Sequence, residues 1–90
     1  MSKYINPFLY GIPRLDLHGE NRYSATILVK MFILENVRLC NERVLIIHGK
    51  GLGILMKEVH EYLKKDSNVI SFSTNNYNDG ETIVYLKISR

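Results

Sequence analysis

The fold of this chain is decided by residues 43–63, which read RVLIIHGKGLGILMKEVHEYL. Residues 43–47 form an apolar run typical of an interior parallel strand, because such a strand is buried on both faces. Apolar residues then recur at intervals of three and four, which predicts an amphipathic helix; they are Leu52, Leu55, Met56, Val59, Tyr62 and Leu63. The glycines between strand and helix, Gly49, Gly51 and Gly53, predict a tight loop.

A similar pattern, an apolar strand followed by histidine and glycine, occurs earlier in the chain. Residues 14–18, RLDLH, predict a short strand that Gly19 ends. Its two leucines face one side, and Asp16 and His18 face the other. If this strand and the strand at 43–47 are parallel neighbours, their carboxyl ends bring both motifs to one edge of the sheet.

A first helix is predicted from about Arg22 to about Leu39, with Asn21 as its N-cap. Its core face at helical spacing comprises Ala25, Leu28, Val29, Phe32 and Leu39. A second apolar stripe on the opposite side comprises Ile27, Met31 and Leu34. Three such side chains left in water forfeit the free energy of burial. We therefore expect the stripe to be covered by the N-terminal arm, by a second copy of the chain in a homodimer or by a protein partner.

The C-terminal third predicts two further strands, at residues 69–73 and 82–88, separated by a polar turn region at residues 75–80. The resulting order is βαβαββ, with right-handed βαβ crossovers. Four strands and two helices predict an α/β protein of the α+β two-layer sandwich type. One face of its four-stranded sheet should be less covered than the other.

Length and composition indicate one folded domain. The chain has 90 residues, of which 46% are hydrophobic, a formal net charge of +3 and one cysteine, Cys40. A single cysteine excludes an internal disulfide and a cysteine-rich zinc site. The first residues lack the apolar core of a signal peptide, so we expect a cytoplasmic protein. Residues 1–13, rich in aromatics and interrupted by proline, predict an N-terminal arm ahead of a domain of residues 14–90.

The glycine loop is a candidate phosphate site. Gly49, Gly51 and Gly53 lack a Cβ atom, so a phosphate can approach the backbone and be held by amides at the start of the next helix. Lys50 adds positive charge beside them. The spacing matches neither the Walker loop nor G-x-G-x-x-G. The alternative is a tight turn that needs glycine for its positive φ angles.

Several polar side chains are expected near this loop. Asp16 can bind a divalent ion or orient a histidine, or it simply caps a neighbouring loop. His18 can exchange protons with a substrate or donate to a phosphate. His48 either donates to a phosphate or closes the turn. His60, on the second helix, is expected to be a partly exposed surface histidine, and no two histidines have the spacing of a zinc site.

These motifs resemble those of a known family. L-D-L-H-G at residues 15–19 and H-G-K-G-L-G at residues 48–53 are similar to the strand motif and glycine loop of the small MutS-related domain, the Smr domain. Residues 82–86 resemble its closing strand, and the resemblance covers residues 13–88. One segment departs from the family pattern, because the glycine-rich stretch before the last strand is shortened here to residues 78–81, with one glycine.

The resemblance implies a fold like the C-terminal domain of a bacterial translation initiation factor, with a mixed sheet and an antiparallel last strand. It also implies DNA or RNA binding with nicking endonuclease activity, in a stand-alone member or an excised domain. With nucleic acid as the ligand, we expect the binding residues to be His48, Gly49, Lys50, Gly51 and Gly53. Asp16 and His18 become the catalytic pair, in which Asp16 binds Mg²⁺ or Mn²⁺ or steers a water, and His18 exchanges protons.

The scarcity of carboxylates limits this interpretation. A two-metal nuclease needs several clustered carboxylates, and only Asp16, with Glu20 as a second candidate, lies near the motifs. The sequence therefore favours weak, one-metal or metal-independent cleavage. The alternatives are a non-catalytic DNA- or RNA-binding module and a protein-interaction module that docks through the first helix.

Overall fold

The computed structural model describes residues 11–75 and 78–88. Its elements follow the predicted order βαβαββ: β1 (Arg14–Asp16), α1 (Arg22–Arg38), β2 (Arg43–Ile47), α2 (Ile54–Lys65), β3 (Val69–Asn75) and β4 (Asn78–Leu86). The predicted arm lies mostly outside the described residues, as does any contact it makes with α1. None of the helices in the described ranges is long and apolar enough to cross a membrane.

The four strands form one mixed sheet in the order β1-β2-β4-β3. β1 runs parallel to β2, and β4 runs antiparallel to both β2 and β3. The pairing of β1 with β2 continues past Asp16, because the Leu17 amide donates to the Ile47 carbonyl at 2.9 Å. The apolar run of β2 therefore occupies an interior position between two neighbours, as predicted. The two-layer α+β fold is confirmed.

Both helices pack on one face of the sheet and share one core with it. Because side chains alternate along a strand, Val44 and Ile46 of β2 point into this core while Leu45 lies on the opposite face. The fully or almost fully buried core residues are Leu17, Ala25, Val29, Ile33, Val44, Ile46, Val59, Leu63, Val84 and Leu86. This arrangement leaves the ends of β1 and β2, rather than their faces, next to the start of α2.

The core face of α1 differs from the predicted one. Ile33 is fully buried in line with Ala25 and Val29, whereas Leu39 is 54% exposed. The reason is that α1 ends at Arg38, so that Leu39 is its C-cap and has left the helical face. The second stripe lies away from this core, with Ile27, Met31 and Leu34 exposed by 60%, 61% and 52%. Its expected covering by the arm, a second copy or a partner stays a prediction.

β3 and β4 both extend into the segment that was predicted as a turn. Asn75 belongs to β3 and is buried, and residues 78–80 belong to β4. Side chains bond in this part of the hairpin: Asn75 donates to the Glu81 carboxylate at 2.8 Å, and the Asn78 side chain accepts from the Gly80 amide at 2.9 Å. Polar residues therefore extend the hairpin here.

Candidate functional site

A cavity of about 420 Å³ opens where β1 and β2 end. It is lined by residues 16–19 and 47–55. The parallel register places Asp16 opposite Ile47, so each strand delivers its His-Gly motif to the same edge. The predicted meeting of Asp16, His18, His48 and Lys50 around one cavity is confirmed.

The glycine loop, residues 48–53, needs its glycines. Gly49, Gly51 and Gly53 have φ angles of 81°, 26° and 77°, which side-chain-bearing residues rarely adopt. The loop is also fastened to β4, because the Gly80 carbonyl accepts hydrogen bonds from the amides of both His48 and Gly49, at 2.9 Å each. Those two amides therefore point into the fold, and the donors that face the cavity come from later in the loop.

These later donors stand at the start of α2. The first amide bonded within the helix is that of Lys57, which donates to the Gly53 carbonyl at 3.0 Å. The amides of residues 53–56, which come before Lys57, have no acceptor within the helix. The N-cap is Gly53, which has no side chain that could accept from them. By contrast, α1 is capped by the Asn21 side chain, which accepts from the amides of Tyr23 and Ser24. The start of α2 thus combines uncapped amides with the positive end of the helix dipole, an arrangement that can hold an anion.

Lys50 lies beside this position but is not free of other charges. Its Nζ lies 3.5 Å from the Asp79 carboxylate, and the two side chains are 70% and 75% exposed. Ion pairs this exposed contribute little, because solvent screens them and both side chains lose entropy. Lys50 can therefore exchange Asp79 for an anion in the cavity.

Asp16 and His18 form the opposite wall of the cavity. The Oδ1 atom of Asp16 accepts a hydrogen bond from the His18 amide at 2.9 Å, so one carboxylate oxygen caps the end of β1. The other oxygen has no hydrogen-bond partner among the described residues. Both residues are exposed. Asp16 therefore caps the end of β1, which is one of its predicted roles, and its second carboxylate oxygen is available to a ligand.

His48 is nine-tenths buried and uses both ring nitrogens within the fold. Its Nδ1 lies 3.0 Å from the Gly49 carbonyl and its Nε2 lies 2.7 Å from the Thr82 hydroxyl. A contact between this ring and a phosphate would require one of these bonds to break. His48 therefore closes the turn in this structure, the second of its two predicted roles.

Two residues of the site were missed from the sequence. Thr82, fully buried in β4, also bonds the Nε2 of His60 at 2.8 Å. His60 is partly exposed, as predicted, but its ring packs against Phe72, with ring centroids 4.8 Å apart, which the sequence did not indicate. Burial lowers the pKa of His60, and the nearby charges of His48 and Lys64 lower it further. The sequence position of His60 could have indicated this packing, because His60 lies one turn from Met56 and from Leu63, on the apolar face of α2.

The cavity does not by itself supply a complete ligand set for a divalent ion. Among the described residues, Asp16 is the only carboxylate that lines it, and Glu20 is not part of the lining. Among the described residues, no three histidine, cysteine, aspartate or glutamate side chains come together as a metal site. Mg²⁺ is commonly held by one or two carboxylates together with waters and substrate phosphates, so Asp16 would hold such an ion only beside a bound phosphate.

The family model for the Smr domain matches residues 15–87. The chain belongs to the Smr domain family. A protein named endonuclease MutS2 from Ligilactobacillus salivarius is 41% identical over 78 residues, which are 83% of this chain and 10% of that protein. Endonuclease MutS2 from Helicobacter pylori is 47% identical over 60 residues, 67% of this chain and 8% of its own length. This Smr domain therefore spans about a tenth of the curated relatives it matches.

Solved structures show the same fold. The crystal structure of the Smr domain of Thermus thermophilus MutS2 superimposes with a TM-score of 0.83 at 29% identity, and covers 84% of this chain and 99% of that one. YdaL from Escherichia coli, described as a stand-alone small MutS-related protein, gives a TM-score of 0.78 at 25% identity. That match covers 82% of this chain and 63% of YdaL.

Proposed function

We propose that this Smr domain binds DNA or RNA by a backbone phosphate at the start of α2 and slowly nicks the bound strand. One observation carries the proposal: the uncapped start of α2 at residues 53–55, Lys50 and the Asp16–His18 wall border one cavity. The names of the MutS2 relatives, which are endonucleases, support the same reaction class.

Binding begins with the phosphate. The amides at the helix start donate to the phosphate oxygens. The Lys50 ammonium neutralises the phosphate charge and thereby releases a bound counterion. Apart from the two chain neighbours of each glycine, none of the described residues lies within 4 Å of the position that a Cβ would take at Gly49 or Gly51, so a ligand would meet bare backbone there. Phosphate contacts position a strand without reading its bases. We therefore expect weak sequence preference.

Cleavage uses the opposite wall. Asp16 orients a water with its free carboxylate oxygen and accepts a proton from it while the water oxygen attacks phosphorus. The bond from phosphorus to the leaving oxygen breaks, and protonated His18 gives its proton to that oxygen. The amides and Lys50 stabilise the charge that develops on the phosphate. Because the wall offers a single exposed carboxylate, no step is assigned to Mg²⁺ or Mn²⁺, and turnover should be slow.

The test is an incubation of the purified protein with labelled single-stranded, duplex and branched DNA and RNA, with and without Mg²⁺ or Mn²⁺. Asp16→Asn is the informative variant, because its amide oxygen still accepts from the His18 amide while the carboxylate is lost. We expect Asp16→Asn and His18→Ala to retain binding of the oligonucleotide and to lose cleavage. Cleavage that persists in Asp16→Asn at the parent rate would contradict a chemical role for Asp16.

The alternative of a non-catalytic binding module has one specific observation in its favour, the Asp16 bond to the His18 amide. If this alternative holds, binding to the same oligonucleotides should be salt-sensitive, and the substrate should remain uncut at every metal concentration. The protein-interaction alternative rests on the exposed α1 stripe. It expects no salt-sensitive nucleic-acid binding at all.

A further inference from the structure

A buried chain of hydrogen bonds connects α2, β4 and the glycine loop. The Nε2 of His60 lies 2.8 Å from the Thr82 hydroxyl, and that hydroxyl lies 2.7 Å from the Nε2 of His48. The Nδ1 of His48 then lies 3.0 Å from the carbonyl of Gly49. The two rings also meet edge to face, with centroids 5.9 Å apart. The chain starts on the second helix and ends on the backbone of the phosphate-binding loop.

The direction of every bond is set by the last acceptor. A carbonyl only accepts, so the proton of neutral His48 must be on Nδ1, and its Nε2 carries a lone pair. The Thr82 hydroxyl must therefore donate its single proton to His48 Nε2. With that proton used, the hydroxyl accepts from His60, whose Nε2 must carry the hydrogen. Each group has one role, and no buried side-chain polar atom among the described residues is left without a partner.

The same strand holds the loop a second time. The Gly80 carbonyl, two residues before Thr82 on β4, accepts from the His48 and Gly49 amides. β4 therefore holds the backbone of Gly49 in two ways. Gly80 bonds its amide directly, and Thr82 holds the His48 ring that bonds its carbonyl. Lys50 is the next residue in the chain, and the open start of α2 lies three residues beyond it.

We propose that Thr82 and His60 are positioning residues that, through the His48 ring, fix the glycine loop in the conformation that binds phosphate. This inference rests on the proposed function for its ligand. It assigns neither residue a contact with nucleic acid. Thr82 acts by fixing the His48 tautomer. His60 acts by donating to the Thr82 hydroxyl oxygen, so that the hydroxyl proton of Thr82 is directed to His48.

The first test needs no ligand. Long-range ¹H–¹⁵N spectra of the histidine rings, recorded at a pH where the rings are neutral, report which nitrogen carries the proton. We expect the Nδ1–H tautomer for His48 and the Nε2–H tautomer for His60. The reverse tautomer at either ring would overturn the proposal.

The second test uses Thr82→Val, which keeps the shape and removes the hydroxyl, and Thr82→Ser, which keeps the hydroxyl. Val84→Ala is the matched control, because Val84 is equally buried on the same face of β4 but bonds nothing in the loop. Amide resonances of residues 49–53 should move in Thr82→Val and stay in place in Thr82→Ser and Val84→Ala. Loop resonances that move equally in Val84→Ala would indicate general loosening and overturn the proposal.

The third test measures affinity for a labelled single-stranded oligonucleotide. Thr82→Val should bind about tenfold more weakly, the equivalent of one lost hydrogen bond, while Lys50 keeps its contribution to the salt slope. Thr82→Ser should restore most of the affinity. Parent-like binding by Thr82→Val contradicts the inference. A parent protein that binds no oligonucleotide contradicts the proposed function instead, and the tautomers and loop resonances still decide the positioning role. If Thr82→Val does not fold, Thr82→Ser and the ring spectra decide it.

Discussion

The charge balance at the mouth of the cavity can be changed in both directions. Lys50→Ala removes the cation beside the helix start, whereas Asp79→Asn removes the carboxylate that lies 3.5 Å from it. If a phosphate replaces Asp79 as the partner of Lys50, the first variant weakens binding and the second strengthens it. Both side chains are largely exposed, so neither change should alter the fold.

The magnitudes come from the distance and from counterion release. Two unit charges at this separation interact by about 1 kcal/mol in water, so Asp79→Asn should raise affinity by up to about fivefold at low salt. Removing one phosphate contact should reduce the slope of log K against log salt by about 0.7 to 0.9. Over a tenfold rise in salt, the affinity ratio of parent to Lys50→Ala should therefore shrink by about five- to eightfold.

Fluorescence anisotropy of a labelled oligonucleotide over a salt series measures both effects. Lys64→Ala is the matched control, because Lys64 forms a pair of the same length, 3.5 Å to Glu61, in the last turn of α2 and away from the cavity. Its affinity and slope should equal those of the parent. An unchanged slope in Lys50→Ala, or a loss of affinity in Asp79→Asn, would refute the placement of the phosphate beside Lys50.

Three further predictions concern stability. In urea unfolding, Ile33→Ala should lower the free energy of unfolding by about 2–5 kcal/mol and Met31→Ala by less than about 0.5 kcal/mol. Equal losses in the two variants would mean that the α1 stripe is buried in solution. A Cβ at Gly80 would lie 3.2 Å from the Gly49 carbonyl carbon, so Gly80→Ala should cost about 1–3 kcal/mol in thermal unfolding, and an unchanged melting temperature would argue against this close approach. Burial lowers the pKa of His60 below its ordinary 6.5, so the unfolded state binds more protons and the free energy of unfolding should fall as the pH drops below about 6.5, levelling off below the folded pKa. His60→Gln, which keeps an N–H donor without the titration, should reduce this slope, and an identical slope would show that His60 is not its source.

The sequence predicts the site-bearing half of the fold well because its signals there are local. The apolar run of β2, the glycines after it and the spacing of α2 each report on neighbouring residues. Parallel pairing of β1 with β2 then brings Asp16, His18 and Lys50 together by topology alone. This is why the sequence alone could predict the cavity.

The parts that the sequence does not reveal depend on tertiary context. α1 is apolar on two sides, so its periodicity cannot choose between Ile33 and Leu39 for the core. The hairpin of β3 and β4 is built from polar residues whose side chains bond across it, and composition alone predicts a turn there. The network of His48, His60 and Thr82 joins residues 22 and 34 positions apart, and no local pattern reports on a bond of that kind.

The central claim is that phosphate binds at the open start of α2, and amide mapping tests it most directly. A ¹H–¹⁵N titration of the labelled protein with a short single-stranded oligonucleotide monitors every backbone amide at once. We expect the largest shifts at residues 50–56, with smaller ones at Asp16 and His18, and their reduction in Lys50→Ala. Shifts centred on the α1 stripe, or on the sheet face opposite the helices, with residues 50–56 unmoved, would contradict the account.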